Sequence, residues 1–482
     1  MTPSDAEGAT RALTILAIDL GTQSLRVTAV TSGGDVVWRW SRPVSTHTAG
    51  EVSEQDPGDW ADLLETALAE AGRAGLRPDA VAAAGPLAGW VPLDGKGRTL
   101  GPAVMYFDGR SAAGLPVVAA RLADRADVPR PTVADPLPQL LRLQRQAPER
   151  LASARHLLDA TGWLVFRLTG VATLDPYTAI RLYGGALDDL VGDGRGLFGR
   201  PVTLGETVGL LRPEVARQFG GGAIPVIAAT FDSKCAYVAS GIVREGQALD
   251  ISGTVTSFGV VAPRPLVDAA KRVYSVPLGD NWLVRGSMGG TGSVLEWARS
   301  AILGADFDAM EAEIAATPAG AGGVTFLPFH SGARSPLWNP HARGAFLGLS
   351  LDTGRPALAR AVYEGLCFGL RHIVETMTEQ GVVLNDVRLA GGLARSDLLS
   401  AMKADILGRP VIRLADHELT TLGLVVIAAT SAGAYRSLAA ASEAIVRTAD
   451  RFAPAGEATR YEPAYRRYRA AVDALAPTFA PA

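Results

Sequence analysis

Short apolar runs that end in small-residue turns open both halves of the chain, with helical stretches between them. Leu13 to Asp19 reads as a buried strand and Gly21-Thr22-Gln23-Ser24 as a tight turn. Leu25 to Val30 and Asp35 to Trp40 continue as the next two strands of an antiparallel meander. Asp56 before Pro57 predicts a helix N-cap, and Trp60, Leu63, Leu64, Ala67, Leu68 and Ala71 follow at helical spacing. Asp79 to Ala84 predicts a strand running into Gly85-Pro86-Leu87-Ala88-Gly89. Ala103 to Tyr106 predicts another, with Phe107-Asp108-Gly109-Arg110 at its mouth. Leu137 to Arg150 and Leu157 to Leu168 read as helices. Pro225 to Ala229 returns to strand and runs toward Asp232, where a helix begins.

The second half repeats the opening. Gln247 to Ile251, a Gly-Ser-Thr turn and Val255 to Val261 form a second meander with Asn281 to Gly286. Asp19-Leu20-Gly21-Thr22 aligns with Ile251-Ser252-Gly253-Thr254, so the turn is kept and the acid is replaced. Helices are predicted over Thr291 to Leu303 and Ser396 to Leu407, a long one over Pro356 to Glu379 and an amphipathic terminal one over Tyr461 to Leu475. Thr421 to Ala434 predicts a small-residue helix that must pack closely. A boundary near Gly241 to Gln247 divides the chain into a lobe over 13–245 and a lobe over 246–476.

Composition narrows the function. The 482 residues suffice for two or three domains, and 48% hydrophobic content fits a folded globular chain. A net charge of −3 gives no reason to expect nucleic acid or an acidic membrane as partner. Met1 to Arg11 reads as a loose tail without a signal peptide's apolar core, and no run is long enough to span a bilayer. Cys235 and Cys367 fit a reducing compartment and offer no metal-ligand spacing. The expectation is a cytoplasmic enzyme.

The turns carry the candidate chemistry. A Gly-Thr turn can aim backbone amides at phosphate oxygens, and the Thr22 and Ser24 hydroxyls add donors, although an ordinary hairpin uses the same residues. Asp19, at a strand end, suits Mg²⁺ held through water. Asp232, in the first turn of a helix, sits where the dipole favours an ionised carboxylate, the state a general base needs. A plain helix cap occupies the same position. Lys234 points away from Asp232 on a helix and reads as a surface or packing residue. Asp108 and Arg110 alternate in a loop and either face one polyol together or lie on the surface. Gly391-Gly392 before a helix lets backbone approach a base or a phosphate.

In this order and spacing the motifs resemble the FGGY carbohydrate kinase family, from about Leu13 to Leu475. They are Ala17 to Val27, Ser53 to Trp60, Phe107 to Arg110, the Asp232 segment, Ser252 to Ser257, Phe326 to Pro336, Arg343 to Ser350 and Gly391 to Val411. The layout is similar to xylulokinase-like ketopentose kinases. The segment around Asp232 also resembles a shorter branch that includes ribulose kinases of plants and cyanobacteria. The resemblance implies two ribonuclease-H-like α/β lobes, of the actin and heat-shock ATPase group, around a central cleft. It implies Asp232 as catalytic base and Asp19 near Mg²⁺. Gly21, Thr22, Gln23 and Ser24 with Gly253 and Thr254 become the phosphate turns, and Gly391, Gly392, Ala394 and Ser396 the adenosine site. Asp108, with Arg110, becomes a sugar contact beside Leu87 and Ala88. ATP and Mg²⁺ are the implied cofactors, a small sugar or polyol the partner, and a homodimer the family's expectation.

Departures from the family pattern concentrate at the sugar. Where xylulokinases carry Gln-Met-His-Gly, this chain has Pro86-Leu87-Ala88-Gly89. The family's Pro-Lys-Leu-x-Trp is here Pro138-Gln139-Leu140-Leu141-Arg142. A site that loses polar partners rejects its old substrate, which points away from D-xylulose itself. Kinases of a glycerol-, erythritol- or tetrulose-type acceptor, a weakened sugar sensor and a nucleotide-binding regulator are the rival readings.

Overall fold

The apolar run after Leu13 becomes a central strand, β1 (Thr14–Leu20), buried along nearly its whole length. The structure is a computed structural model and describes residues 12–87, 89–125, 130–182, 194–279, 281–304, 306–415, 418–456 and 458–479. The tail Met1 to Arg11 and the candidate Ala88 lie outside the described residues. Among the described residues no helix is long and apolar enough to cross a membrane.

The chain divides into two units. In the first, β1 is joined by β2 (Ser24–Thr31), β3 (Val36–Pro43), β4 (Ala80–Ala84), β5 (Thr207–Leu210) and β6 (Pro225–Ile227) in one sheet of order β5-β6-β4-β1-β2-β3. The meander β1-β2-β3 is antiparallel, β1-β4 and β4-β6 are parallel, and β5 closes the edge antiparallel. In the second unit the strands are β7 (Gln247–Ser252), β8 (Thr256–Ala262), β9 (Tyr274–Leu278), β10 (Asn281–Met288), β11 (Asp386–Ala390), β12 (Val411–Leu414) and β13 (Thr448–Phe452). Their order is β9-β10-β8-β7-β11-β12-β13. Again the opening meander β7-β8-β10 is antiparallel, β7-β11 and β11-β12 are parallel, and the last strand is antiparallel. Strand for strand the two sheets share one topology, with β9 added at one edge of the second. The short Gly-Thr match therefore marks a repeated architecture.

Parallel strands need crossovers, and helices supply them. Asp56 caps the helix Pro57–Arg73 by accepting from the Gly58 N–H at 2.7 Å, and Trp60, Leu64, Ala67, Leu68 and Ala71 are its buried face. Trp60 meets Trp163 edge to face at 5.4 Å. In the second unit the helix Arg355–Thr378 is buried over most of its length.

Three expectations need correction. The helix expected over Leu137 to Arg150 breaks at Ala147, whose φ of −148° is not helical, and Pro148 restarts it. The helix expected over Leu157 to Leu168 begins only after Asp159. His156–Leu158 instead pairs as a strand with Val91–Leu93, and Asp159 caps the helix Ala160–Thr169. Tertiary pairing overrides the local apolar pattern there. The third concerns the lobe boundary. Glu418–Val446 groups with the first unit, beyond its stretch that closes at Gly241, so the second is mainly Ile242–His417 and Arg447–Ala482.

That grouping explains the small-residue helix, Leu419–Ser431. It packs on the helix Asp232–Ala239 so closely that a Cβ at Gly423 would lie 2.1 Å from the Cys235 carbonyl oxygen.

Candidate active site

The parallel strands β1, β4 and β6 deliver their carboxyl ends to one edge of the first sheet. Asp19 is the penultimate residue of β1, and Asp232 begins a helix five residues after β6 ends at Ile227. The Asp232 N–H donates to the Gly85 carbonyl at 2.9 Å, which ties the helix start to the end of β4.

Asp19 is 1% exposed. Its Oδ2 accepts from Arg26 Nη2 at 2.6 Å and from Nε at 3.0 Å. Its Oδ1 is buried with no hydrogen-bond partner. Burial raises its pKa against the pull of the Arg26 guanidinium, and Glu418 adds to the rise. Arg26 escaped the sequence reading, although the hairpin register that sets Leu20 opposite Leu25 also sets Asp19 opposite Arg26.

Asp232 keeps some solvent contact, and its Oδ1 accepts from the Ser233 N–H at 2.5 Å. Burial, and then the charge of Asp19, push its carboxyl up to about 7, against the Ser233 N–H and Arg26. The expectation that the helix end would hold it firmly ionised is thus corrected: desolvation and a neighbouring anion outweigh one helix terminus. A carboxyl balanced near neutrality suits a general base.

The residues expected at a sugar have different surroundings. Leu87 is half-buried and brings no polar group. Gly89 has φ +85°, and a Cβ there would lie 2.5 Å from the Val104 carbonyl. Its N–H donates to Gln139 Oε1 at 3.0 Å, and Gln139 is 1% exposed. The residue standing at the family's lysine position therefore fixes the altered loop. Gln139→Leu leaves that buried N–H unpaired and is expected to lower stability by about 1–3 kcal/mol, read by urea unfolding. A loss below a few tenths contradicts the assigned hydrogen bond.

Asp108 is engaged within the protein. It is fully buried, and its carboxylate accepts from the Ser53 N–H at 2.8 Å, from the Arg110 N–H at 3.1 Å and from the Arg110 guanidinium at 2.6 Å. Arg110 also reaches Glu54 at 2.5 Å, and its bonds to Asp108 raise its pKa. The two residues bind each other and the strand Val52–Gln55. That partner lies 55 positions from Asp108 in sequence, out of reach of a local motif.

Lys234 is 6% exposed and so is not a surface residue. Its ammonium lies 5.5 Å from the Tyr177 ring centre. Its charge opposes the burial that raises the Asp175 pKa. That is the packing role, with an electrostatic reason for the lysine.

In the first unit's turn, the Gly21 N–H is used by the Ser24 carbonyl at 2.8 Å. The Gln23 carbonyl accepts from the Val44 N–H, and the Thr22 carbonyl from Gln55. Thr22 and Ser24 are part-exposed and Gln23 exposed. In the second unit β7 and β11 run parallel with Ile251 opposite Ala390, so Gly253-Thr254 and Gly391-Gly392 lie side by side at their carboxyl ends. Gly391 has φ +87°, and a Cβ would sit 2.4 Å from the Ser252 carbonyl. Gly391, Gly392 and Thr254 are exposed and Gly253 is part-exposed. Ala394 and Ser396 have partners within the second unit. Ala394 is packed in the core, and the Ser396 hydroxyl caps the helix Asp397–Leu407 through the Leu399 N–H while donating to Glu311. A hollow of about 550 Å³ in the second unit, lined by Arg371, Glu375 and Glu462 among others, holds none of these residues. Its Arg371 pairs with both acids, and it lies apart from the chemistry.

Comparison with known proteins gives the family. The N-terminal domain pattern of the FGGY family of carbohydrate kinases matches residues 14–181, and the C-terminal domain pattern matches 249–432. The chain is 30% identical over 412 residues to xylulose kinase of Escherichia coli K12, covering 82% of this chain and 85% of that one. It is 30% identical over 491 residues to glycerol kinase of Thermus brockianus, covering 95% and 98%. The solved xylulose kinase of Rhodospirillum rubrum superposes with a TM-score of 0.89 at 26% identity, over 97% of this chain and 99% of that one.

Proposed function

Because the chain belongs to the FGGY family of carbohydrate kinases, we propose that it moves the γ-phosphoryl group of ATP to a terminal hydroxyl of a ketopentose of the xylulose or ribulose type. The observation that carries the reading is the acid pair at the first sheet's edge. Burial and the charge of Asp19 push the Asp232 carboxyl up to about 7, and Asp19 Oδ1 is buried and unpartnered. In this account the ionised Asp232 accepts the proton of the attacking hydroxyl, and the hydroxyl oxygen then displaces ADP from the γ-phosphorus in line. The exposed Gly253-Thr254 and Gly391-Gly392 turns of the second unit hold the nucleotide through backbone groups.

The residues fit Mg²⁺. No group of three or more His, Cys, Asp or Glu forms a metal cage among the described residues, and Mg²⁺ usually takes one or two carboxylates, waters and substrate phosphates. Asp19 Oδ1 is free to hold one of those waters, and Arg26 orients the carboxylate. Bound Mg²⁺ supplies charge neutralisation at the transferring phosphates.

Within the family, a second acceptor class has its own support. Leu87 offers no hydrogen bond where xylulokinases place a polar loop, and glycerol kinases are also 30% identical to this chain. The test is an ADP-release assay with Mg-ATP over pentuloses, tetruloses, hexuloses and glycerol. The ketopentose reading expects D-ribulose or D-xylulose to give the highest kcat/KM. Preference for glycerol or a tetrulose overturns it in favour of the second class.

Asp232 also makes stability depend on pH. Its carboxyl titrates at 3.8 by itself and near 7 in the fold. Between those values the folded chain binds more protons than the unfolded one. The stability present below about pH 4 is therefore lost as pH rises through 7. Asp232→Asn removes that loss and is expected to be more stable than the parent by about 2 kcal/mol at pH 8. This is less than the full shift would give, because the carboxyl keeps solvent contact. Urea unfolding at pH 8 and pH 5 checks it. A difference that does not grow from pH 5 to pH 8 refutes it.

A further inference from the structure

Beneath the two exposed turns of the second unit lies a buried ionic chain that the proposed chemistry does not use directly. Lys403 is 4% exposed and Asp250 0%. Lys403 Nζ donates to Asp250 Oδ2 at 2.5 Å and to Ser252 Oγ at 3.1 Å. Ser252 Oγ gives its one proton to Asp250 Oδ1 at 2.6 Å. The 3.1 Å contact with Thr256 Oγ1 is then donated by Thr256, and the 2.8 Å contact between Thr256 and Thr291 by Thr291. The hydroxyl protons all run toward Asp250.

The chain connects four of the elements that flank the turns. Lys403 belongs to the helix Asp397–Leu407, which follows Gly391-Gly392. Asp250 and Ser252 are on β7, and Ser252 directly precedes Gly253-Thr254. Thr256 opens β8, and Thr291 directly precedes the helix Gly292–Trp297. Backbone bonds finish the frame: the Gly292 N–H donates to the Gly253 carbonyl at 2.9 Å, and the Thr291 N–H to the Thr254 carbonyl at 3.0 Å. The Gly391 backbone abuts the Ser252 carbonyl, so movement of Ser252 moves both turns.

We propose that Lys403 is a positioning residue for the nucleotide, fixing Ser252 so that the Gly253-Thr254 and Gly391-Gly392 turns keep the spacing that phosphate and adenosine require. The inference rests on the nucleotide assignment made above. A buried ion pair adds little net stability over an apolar pair of similar size, whereas breaking it leaves a buried charge. The pair's distinctive contribution is therefore geometry at the turns.

Calorimetric binding of Mg-ADP separates the possibilities and needs no sugar. Lys403→Met is expected to weaken binding about tenfold or more, while KM for the sugar stays within about twofold. The double variant Asp250→Leu/Lys403→Met removes both charges, so its melting temperature is expected to return close to the parent's. Its nucleotide affinity is expected to remain about tenfold weak, because Ser252 has lost its tie. Parent-like affinity in either variant overturns the proposal and leaves the pair a structural element only. Failure of the parent itself to bind Mg-ADP overturns the nucleotide assignment, and this inference with it.

Discussion

Asp232→Asn is expected to lower kcat by about a hundred- to ten-thousandfold, the range a positioned general base contributes. KM for ATP should stay within about threefold, because in the proposed mechanism the side chain acts on the sugar hydroxyl and not on the nucleotide. The substitution keeps the size and the helix-start position, so the Asp232 N–H can still bond the Gly85 carbonyl. What it removes is the carboxylate proposed as proton acceptor. The parent's kcat/KM should fall on the acid side of about pH 7, where burial and Asp19 place the carboxyl's titration. The variant's residual rate should lose that inflection. A drop smaller than tenfold, or an acid limb that survives in the variant, contradicts Asp232 as base.

Gly423→Ala is expected to destabilise the first unit by about 3 kcal/mol, although it adds a single methyl group. That methyl carbon would lie 2.1 Å from the Cys235 carbonyl oxygen, a contact with rigid backbone that no rotamer can relieve. The helices must separate, and the effect reaches the site. Thr420 Oγ1 donates to the Asp232 carbonyl at 3.3 Å, and Thr420 and Gly423 lie on the same helix. Activity should therefore fall even below the variant's melting temperature. Calorimetric melting with a parallel rate measurement reads both effects. An unchanged melting temperature means that the helix pair tolerates separation and that the close approach is incidental.

The parts of the fold legible in the sequence were those set by local chemistry. Asp56-Pro57 fixes a helix start through one side-chain bond, and the apolar runs before Gly21 and Gly253 fix two hairpins. The acid at the start of the Asp232 helix was visible for the same reason. Small residues in Leu419–Ser431 announced close packing but not its partner, because the partner is Cys235, far back in the chain. The same distance hid the fate of Asp108, whose charge is taken up by Arg110 and the Ser53 amide. Lys403 and Asp250 stand 153 residues apart, and neither carries a local signal of the other. Pair-level chemistry across a sheet becomes readable only once the topology is known.

The most direct measurement follows the phosphoryl group itself. The protein is incubated with Mg-ATP labelled in its γ-phosphate and either D-ribulose or D-xylulose, beside Asp232→Asn, and the products are separated. The account predicts label on the sugar with the parent and almost none with the variant. Label that remains on ATP or appears only as inorganic phosphate with both sugars would contradict it.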